Sequence, residues 1–495
     1  MPILLLAFLL VTLLFSWVSP PLYSLDFQRW AMLIALLGVV GLAGGRERKR
    51  LFAGLRCGSS RLLALCTATV VLLVAASLMV SPFPALSSLE LVYLLALVMM
   101  TGLVALSVRQ ASLLLWQLTG GMAVLLLTVY ALMALDSIHF HWPIFTKRDA
   151  TPGLGNIRYF SDLAVGLMPL GLVYVVARKK LSLSVALLAA LPLAVWWYLL
   201  FLTVGRSGVL SLTVAVLVVI VLFRRQAAWP VGTLLFSALP ALAAWWRVNP
   251  LRELSSNDLT PKSLSDSAGE LTGDITVTND RIYLWQEAWQ YAMEHFPLGI
   301  GPMGLAGDGL DYHVGSYAHA HNLFLNTAAE WGLPLALVLF AFVLYGCWTI
   351  YRRSQSLPNT DKPLYACLVM AFVGVMVNVQ FSGAQIIPLS SLVMMLAIGL
   401  VFGFRGLEPL PSAASTPRQV GGVGPVVLWA AGMLVLGYLF FAGWSLYQLS
   451  LDSTRPCFQI LEETAYFPRF WAQGRLECMQ IVAPDHWLFW PWPWP

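Results

Sequence analysis

Apolar residues fill unbroken runs of about 17 to 25 positions along most of this chain, and polar residues gather in the gaps between them. A run of that length crosses a hydrocarbon core of roughly 30 Å as a helix. The pattern predicts thirteen spans, at 3–18, 28–44, 62–80, 89–107, 112–135, 161–177, 182–204, 207–223, 229–246, 333–350, 364–381, 386–404 and 425–447. A β-barrel would need short segments of alternating polarity, whereas Leu62 to Val80 is apolar throughout. The expected fold is all-α: a polytopic membrane protein of about 13 transmembrane helices with one large loop between spans 9 and 10. The chain then divides into 1–246 (spans 1–9), 247–332 (the large loop), 333–450 (spans 10–13) and a tail, 451–495. The first run lacks a basic leader and a small-residue cleavage pattern, so it reads as a retained span.

Composition agrees with this pattern and charge orients it. The 495 residues are 59% hydrophobic and 11% charged, with a mean hydropathy of +0.76. Soluble domains carry about a quarter charged residues, so an ordinary cytosolic enzyme is excluded. Lys and Arg are retained on the cytoplasmic side. Arg46, Arg48, Lys49, Arg50, Arg56 and Arg61 share one connection, and Arg109, Arg178 to Lys180, Arg224 with Arg225, and Arg352 with Arg353 fall in every second connection thereafter. That side holds 17 of the 29 basic and three of the 24 acidic residues, a net +14 against −9 opposite. The overall +5 is thus a topology signal, and nucleic-acid binding has no support. The N-terminus is expected in the cytoplasm and the C-terminus outside.

Three outer stretches are long enough to hold chemistry: 136–160, 247–332 and the tail from Leu451. The large loop begins with a polar, flexible-looking segment, Ser255 to Thr278. It continues with Ile282, Trp285, Trp289 and Met293, spaced as one buried face of a helix. Pro297 stops that helix, and Gly299, Gly301, Gly304, Gly307 and Gly309 make a turn-rich loop. A second helix is expected to start near His321 and run into span 10. Cys457 and Cys478 lie in the outer tail, where an oxidising compartment would let them pair. The Trp-Pro tail suits a bilayer interface, and the linker Glu408 to Gly424 carries no chemical motif. Trp196, Trp197, Trp245 and Trp246 read as interface anchors.

The richest segment is Asn279-Asp280-Arg281-Ile282-Tyr283-Leu284-Trp285, then Pro297-Leu298-Gly299-Ile300-Gly301-Pro302, then His319-Ala320-His321-Asn322, ending in Glu330-Trp331-Gly332. Arg with Trp four residues on, Pro-x-Gly-x-Gly, His-Asn and Glu-x-Gly before a span resembles the outer loop of the O-antigen ligase superfamily, which also holds O-antigen polymerases and bacterial protein O-oligosaccharyltransferases. Gly205-Arg206-Ser207-Gly208 resembles a second motif of that superfamily. The resemblance covers about residues 150 to 405. It implies an inner-membrane, metal-independent glycosyltransferase without cofactor, moving a glycan from undecaprenyl diphosphate to an acceptor hydroxyl at the periplasmic face. Among its branches, O-antigen ligase acting on lipid A-core is preferred, with polymerase or pilin-type protein transferase as alternatives. The implied partners are the lipid-linked donor, a lipid A-core, glycan or protein acceptor, and membrane lipids.

The residues suit that chemistry in their own right. A diphosphate leaving group needs cationic, planar donors, which guanidinium supplies better than ammonium. Arg206 and Arg281 lie on the outer face for this role; the bland alternatives are a snorkelling residue for Arg206 and a surface pair with Asp280 or Glu287 for Arg281. Arg158, Lys147 and Arg148 could also reach a diphosphate, and each reads more simply as a solvated loop residue. An acceptor hydroxyl needs a base, for which neutral imidazole is suited. His321, in the His-Asn position, is the candidate, with His319, Asn322 and Glu330 expected to bind substrate, and Glu330 also read as an orienting or capping group. His319 would point elsewhere if the segment were helical. A His319–His321 metal pair is disfavoured because carboxylate and thiolate partners at ligand spacing are missing. A transporter is the rival of another class. Against it, the spans carry few acidic residues at mid-membrane, and polar residues concentrate in one outer loop.

Overall fold

The computed structural model describes residues 1–18, 28–29, 31–34, 61–109, 111–140, 154, 157–178, 183–203, 205–247, 275–307 and 319–407, with 437, 441 and 487. The predicted span at 425–447, most of that at 28–44, the segment Ser255 to Thr278, Lys147, Arg148, the 408–424 linker and the Cys457–Cys478 pair lie outside the described residues. Among the described residues all regular structure is helical. In chain order it comprises α1 (Pro2–Val18), α2 (Arg61–Met79), α3 (Pro84–Val108), α4 (Leu113–Phe140), α5 (Ile157–Val176), α6 (Leu183–Leu202) and α7 (Arg206–Phe223). A 3₁₀ turn, Arg224–Ala227, leads to α8 (Ala228–Arg247), followed by α9 (Ile275–Glu294), α10 (Gly304–Gly307), α11 (Leu323–Trp331), α12 (Leu333–Ser356), α13 (Lys362–Asn378) and α14 (Pro388–Gly403).

Eleven of the thirteen predicted spans coincide with helices among the described residues. Among the described residues five helical stretches are long and apolar enough to cross a membrane, one of them the 42 residues from Arg206 to Arg247. As one rod that stretch would run about 63 Å, twice a bilayer core. It is instead interrupted at Arg224, whose φ is +49°, which fits two crossings.

Which helices form the centre follows from which are sealed on all sides. Between Tyr159 and Ala177 almost every residue of α5 is buried, and α13 is similar from Leu364 to Ala371. Without a water-driven force between helices in lipid, close approach through small residues does the packing. Gly374 leaves no room beyond the carbonyl of Val165, and Gly399 none beyond that of Thr101. By contrast α12 exposes Leu337, Phe340, Phe342 and Trp348, as a lipid-facing helix should. The tryptophan expectation is corrected here: Trp196 and Trp197 are buried and donate their indole N–H to the carbonyls of Leu127 and Leu234 at 2.9 and 3.0 Å, and only Trp246 keeps a broadly exposed ring. Their polar edge finds a backbone partner inside the bundle and needs no interface.

One end of the bundle collects the basic connections. Gly403 abuts Ala105 and Val108, and Arg353 donates to the carbonyls of Val401 and Phe402 at 3.1 Å each. Burial, then the charges of Arg353 and Arg109, push Arg405 below the ordinary guanidinium range. Three connections that the charge pattern assigns to one side therefore meet.

Candidate active site

At the opposite end, α9 and α11 pack through alanines. Leu284, Ala288 and Ala292 are buried, facing Ala328 and Ala329, while Ile282, Trp289 and Met293 are 42–50% exposed. The helix is as expected but its buried face is not: small side chains, which permit close approach, line the contact, and the bulky ones face out. The chain then turns through Gly299 and Gly301, with φ of +74° and +86°, a region open to glycine at little steric cost. A side chain on Gly299 would meet the carbonyl of Ala329 at 2.5 Å, and one on Gly301 would strike the backbone of Ser81. Ile300 N–H donates to Ala329 O at 2.8 Å, and Ser81 and Ser87 donate to Pro302 O at 2.9 and 2.8 Å. The Pro-x-Gly-x-Gly motif is thus a tight fillet between α11 and the α2–α3 corner.

The second helix begins at Leu323, not His321, and ends at Trp331. It does not run into span 10, because Gly332, φ +89°, breaks it before α12 and is pressed against Pro297 and Leu298. Glu330 is fully buried; it accepts from Leu305 N at 3.2 Å and from Asn326 Nδ2 at 2.9 Å, which ties α11 to the glycine loop. Asn326 Oδ1 accepts from Ala320 N at 3.2 Å, and Trp285 Nε1 donates to Ala320 O at 3.0 Å. The peptide between the two histidines is therefore clamped on both sides.

Because this segment precedes the helix, His319 does not point away from His321. Their ring centroids are 4.0 Å apart, and His321 N–H donates to His319 Nδ1 at 3.2 Å. Nδ1 of His319 must offer a lone pair, so the neutral ring carries its proton on Nε2. His319 is buried against Gly383, where a side chain would approach its Cε1 to 2.8 Å. His321 is half-buried with φ +50°. Asn322 caps α11, its Oδ1 accepting from Leu325 N at 2.9 Å, while its Nδ2 donates to Gln380 O at 3.3 Å.

The connection 379–387, between α13 and α14, is the floor of this site. Phe381 lies 6.1 Å from the Trp285 ring, and Leu323 N–H donates to Val379 O at 3.0 Å. Arg281 stands one turn before Trp285 on α9, half-buried. Arg206 is the first residue of α7 and is exposed; on the glycines around it, Gly205 and Gly208, an added β-carbon would come within 3.3 and 3.0 Å of Ser161. Arg158 lies in the first turn of α5, with its side chain outside the described residues. The structure thus brings His319, His321 and Asn322 to one connection, sets Arg281 one turn before the Trp285 that packs on it, places Arg206 and Arg158 at the starts of α7 and α5, and puts Glu330 behind them as a brace.

The sequence pattern does not single out Asp162, Asn378, Ser382 or Gly383. Asn378 Nδ2 donates to Asp162 Oδ1 at 2.6 Å and to Ser382 Oγ at 3.1 Å. A carboxylate inside a span is a signal in itself, but its partner lies 216 residues away and no spacing rule connects them.

Comparison with known proteins agrees with the motifs. The chain is 26% identical over 197 residues to the teichuronic acid biosynthesis protein TuaE of Bacillus subtilis (strain 168), and the aligned stretch spans only 37% of each chain. The model of the O-antigen ligase family matches residues 191–340, a segment that carries Arg206, Arg281, the glycine loop, both histidines, Asn322 and Glu330.

Proposed function

We propose that the protein is an inner-membrane glycosyltransferase that moves an oligo- or polysaccharide from undecaprenyl diphosphate to an acceptor hydroxyl at the periplasmic face, as an O-antigen ligase acting on lipid A-core. The observation that carries this reading is the pair of touching imidazoles, clamped through Ala320 by the indole of the helix that bears Arg281. His321 accepts the proton of the acceptor hydroxyl as the oxygen attacks the anomeric carbon. The bond from that carbon to the phosphate oxygen breaks, and undecaprenyl diphosphate leaves with the electron pair. Arg281 and Arg206 hold the charge that develops on it, and Arg158, in the first turn of α5, is a further candidate for that role. Guanidinium forks match phosphate oxygens. Neither a metal nor a cofactor enters the scheme, so EDTA is expected to leave the rate unchanged.

A deletion strain tests the reading. Loss of capped lipopolysaccharide with accumulated lipid-linked polymer supports the ligase. Lipopolysaccharide capped with a single repeat would show a polymerase, the second reading. Unglycosylated pilin would show a protein transferase, and normal glycans in the strain would defeat all three.

A further inference from the structure

We propose that Asp162 is a positioning residue of this site, the buried counter-charge that aims the Arg281 guanidinium at the donor diphosphate. The inference rests on the transferase reading and adds a residue to it that lies outside the family-matched segment 191–340.

Asp162 sits in the first turns of α5 at 2% exposure, between the buried side chains of Phe160, Leu163 and Ala164. A carboxylate so placed is costly, and replacing a buried ion pair by apolar residues is often neutral or stabilising. Its partners are those of a site. Asn378, at the end of α13, holds one oxygen at 2.6 Å and reaches Ser382 with the same amide nitrogen at 3.1 Å. Ser382 precedes Gly383, the residue on which the His319 ring lies. After its hydrogen bonds to Asn378 and Ser382, Asp162 also feels the charge of Arg281, which stands on α9 one turn before Trp285, the ring beside Phe381. Ser161, the preceding residue, carries the glycines on either side of Arg206. One short stretch of α5 therefore abuts the turn that presents Arg206 and the floor beneath the histidines, and lies within electrostatic reach of Arg281. A plain fold brace would have no reason to meet all three.

The test is a double-mutant cycle read by binding of undecaprenyl diphosphate to protein in nanodiscs, alongside transfer. Asp162→Asn keeps the acceptor oxygen for Asn378 and removes only the charge. Arg281→Lys keeps a charge and loses the fork. Each single variant is expected to weaken binding about tenfold, and the double variant to bind no more weakly than Arg281→Lys alone, because residues that act through one another are not additive. Losses that multiply would overturn the proposal, as would wild-type affinity in Asp162→Asn. If Asp162→Asn accumulates poorly, the exchanged pair Asp162→Asn with Asn378→Asp returns one carboxylate to the same contact and carries the same cycle. Coupled binding without any transfer would sink the transferase reading and leave the positioning role standing. No binding of undecaprenyl diphosphate by the wild type would sink both.

Discussion

His321 is held where few residues settle: a β-carbon in the left-handed region, φ +50°, with its N–H spent on the neighbouring imidazole. Such a conformation is uncommon outside glycine and persists when the surroundings over-determine it. Here the clamp on Ala320 and the cap at Asn322 do so. General-base assistance contributes about 10²–10⁴-fold, and His321→Ala is expected to lose transfer by that factor while donor binding persists. Kinetics on purified protein with lipid-linked donor check this, and a full rate in that variant removes His321 as the base. The sequence spacing alone would spare His319→Ala. Ring contact and the Nδ1 acceptor predict instead that His319→Ala is also impaired, since it frees the backbone of His321. Arg206→Lys and Arg281→Lys should each reduce transfer strongly while inserting normally, because the planar fork is lost though the charge remains. Wild-type turnover in both would return them to snorkelling and surface-pair roles.

Between helices, the legible and illegible parts of the fold separate along a physical line. Span length is written in hydrophobicity, so α3, α4, α12 and the other crossings can be read from the chain alone. Facing cannot, because lipid is as apolar as the core, and a leucine on α12 that faces lipid looks like one on α5 that does not. The same ambiguity misplaces the buried side of α9, where Ala288 and Ala292 make the contact and Trp289 faces out. Motif order along the loop is readable, whereas Asp162 with Asn378 is not, since that pair exists only after α5 and α13 have packed. The glycine fillet gives this scale its test. Gly299→Ala combines positive φ with a clash at Ala329 O and should destabilise by more than about 1 kcal/mol. Gly232→Ala, in α8 with nothing within 4 Å of the added carbon, should stabilise by up to about 1 kcal/mol. Thermal unfolding of the two variants in detergent compares them directly, and equal melting temperatures would contradict the packing described.

For the molecule as a whole, every assigned role requires the histidine end to face the compartment that holds the lipid-linked donor. The charge pattern supplies the direction: basic connections alternate without a break, and Arg109, Arg353 and Arg405 gather at the end away from His321. Such clusters are as a rule retained in the cytoplasm, and on the proposed orientation the large loop and the tail lie outside. A reporter active only in the periplasm should therefore score when fused at Asp266 or after Pro495, and one fused within the Arg46 to Arg56 connection should not. On that proposed orientation Cys457 and Cys478 would lie in an oxidising compartment, where thiols can pair. They should be joined in unreduced protein, and closing a loop of about 20 residues would contribute on the order of 3 kcal/mol by the chain-entropy model. Peptide mapping under alkylation reads the bond. Free thiols at both positions would refute the bridge but leave the orientation to the reporters. A cytoplasmic signal at Asp266 would put Arg281 and His321 on the wrong side of the membrane, and the proposed transfer could not take place there.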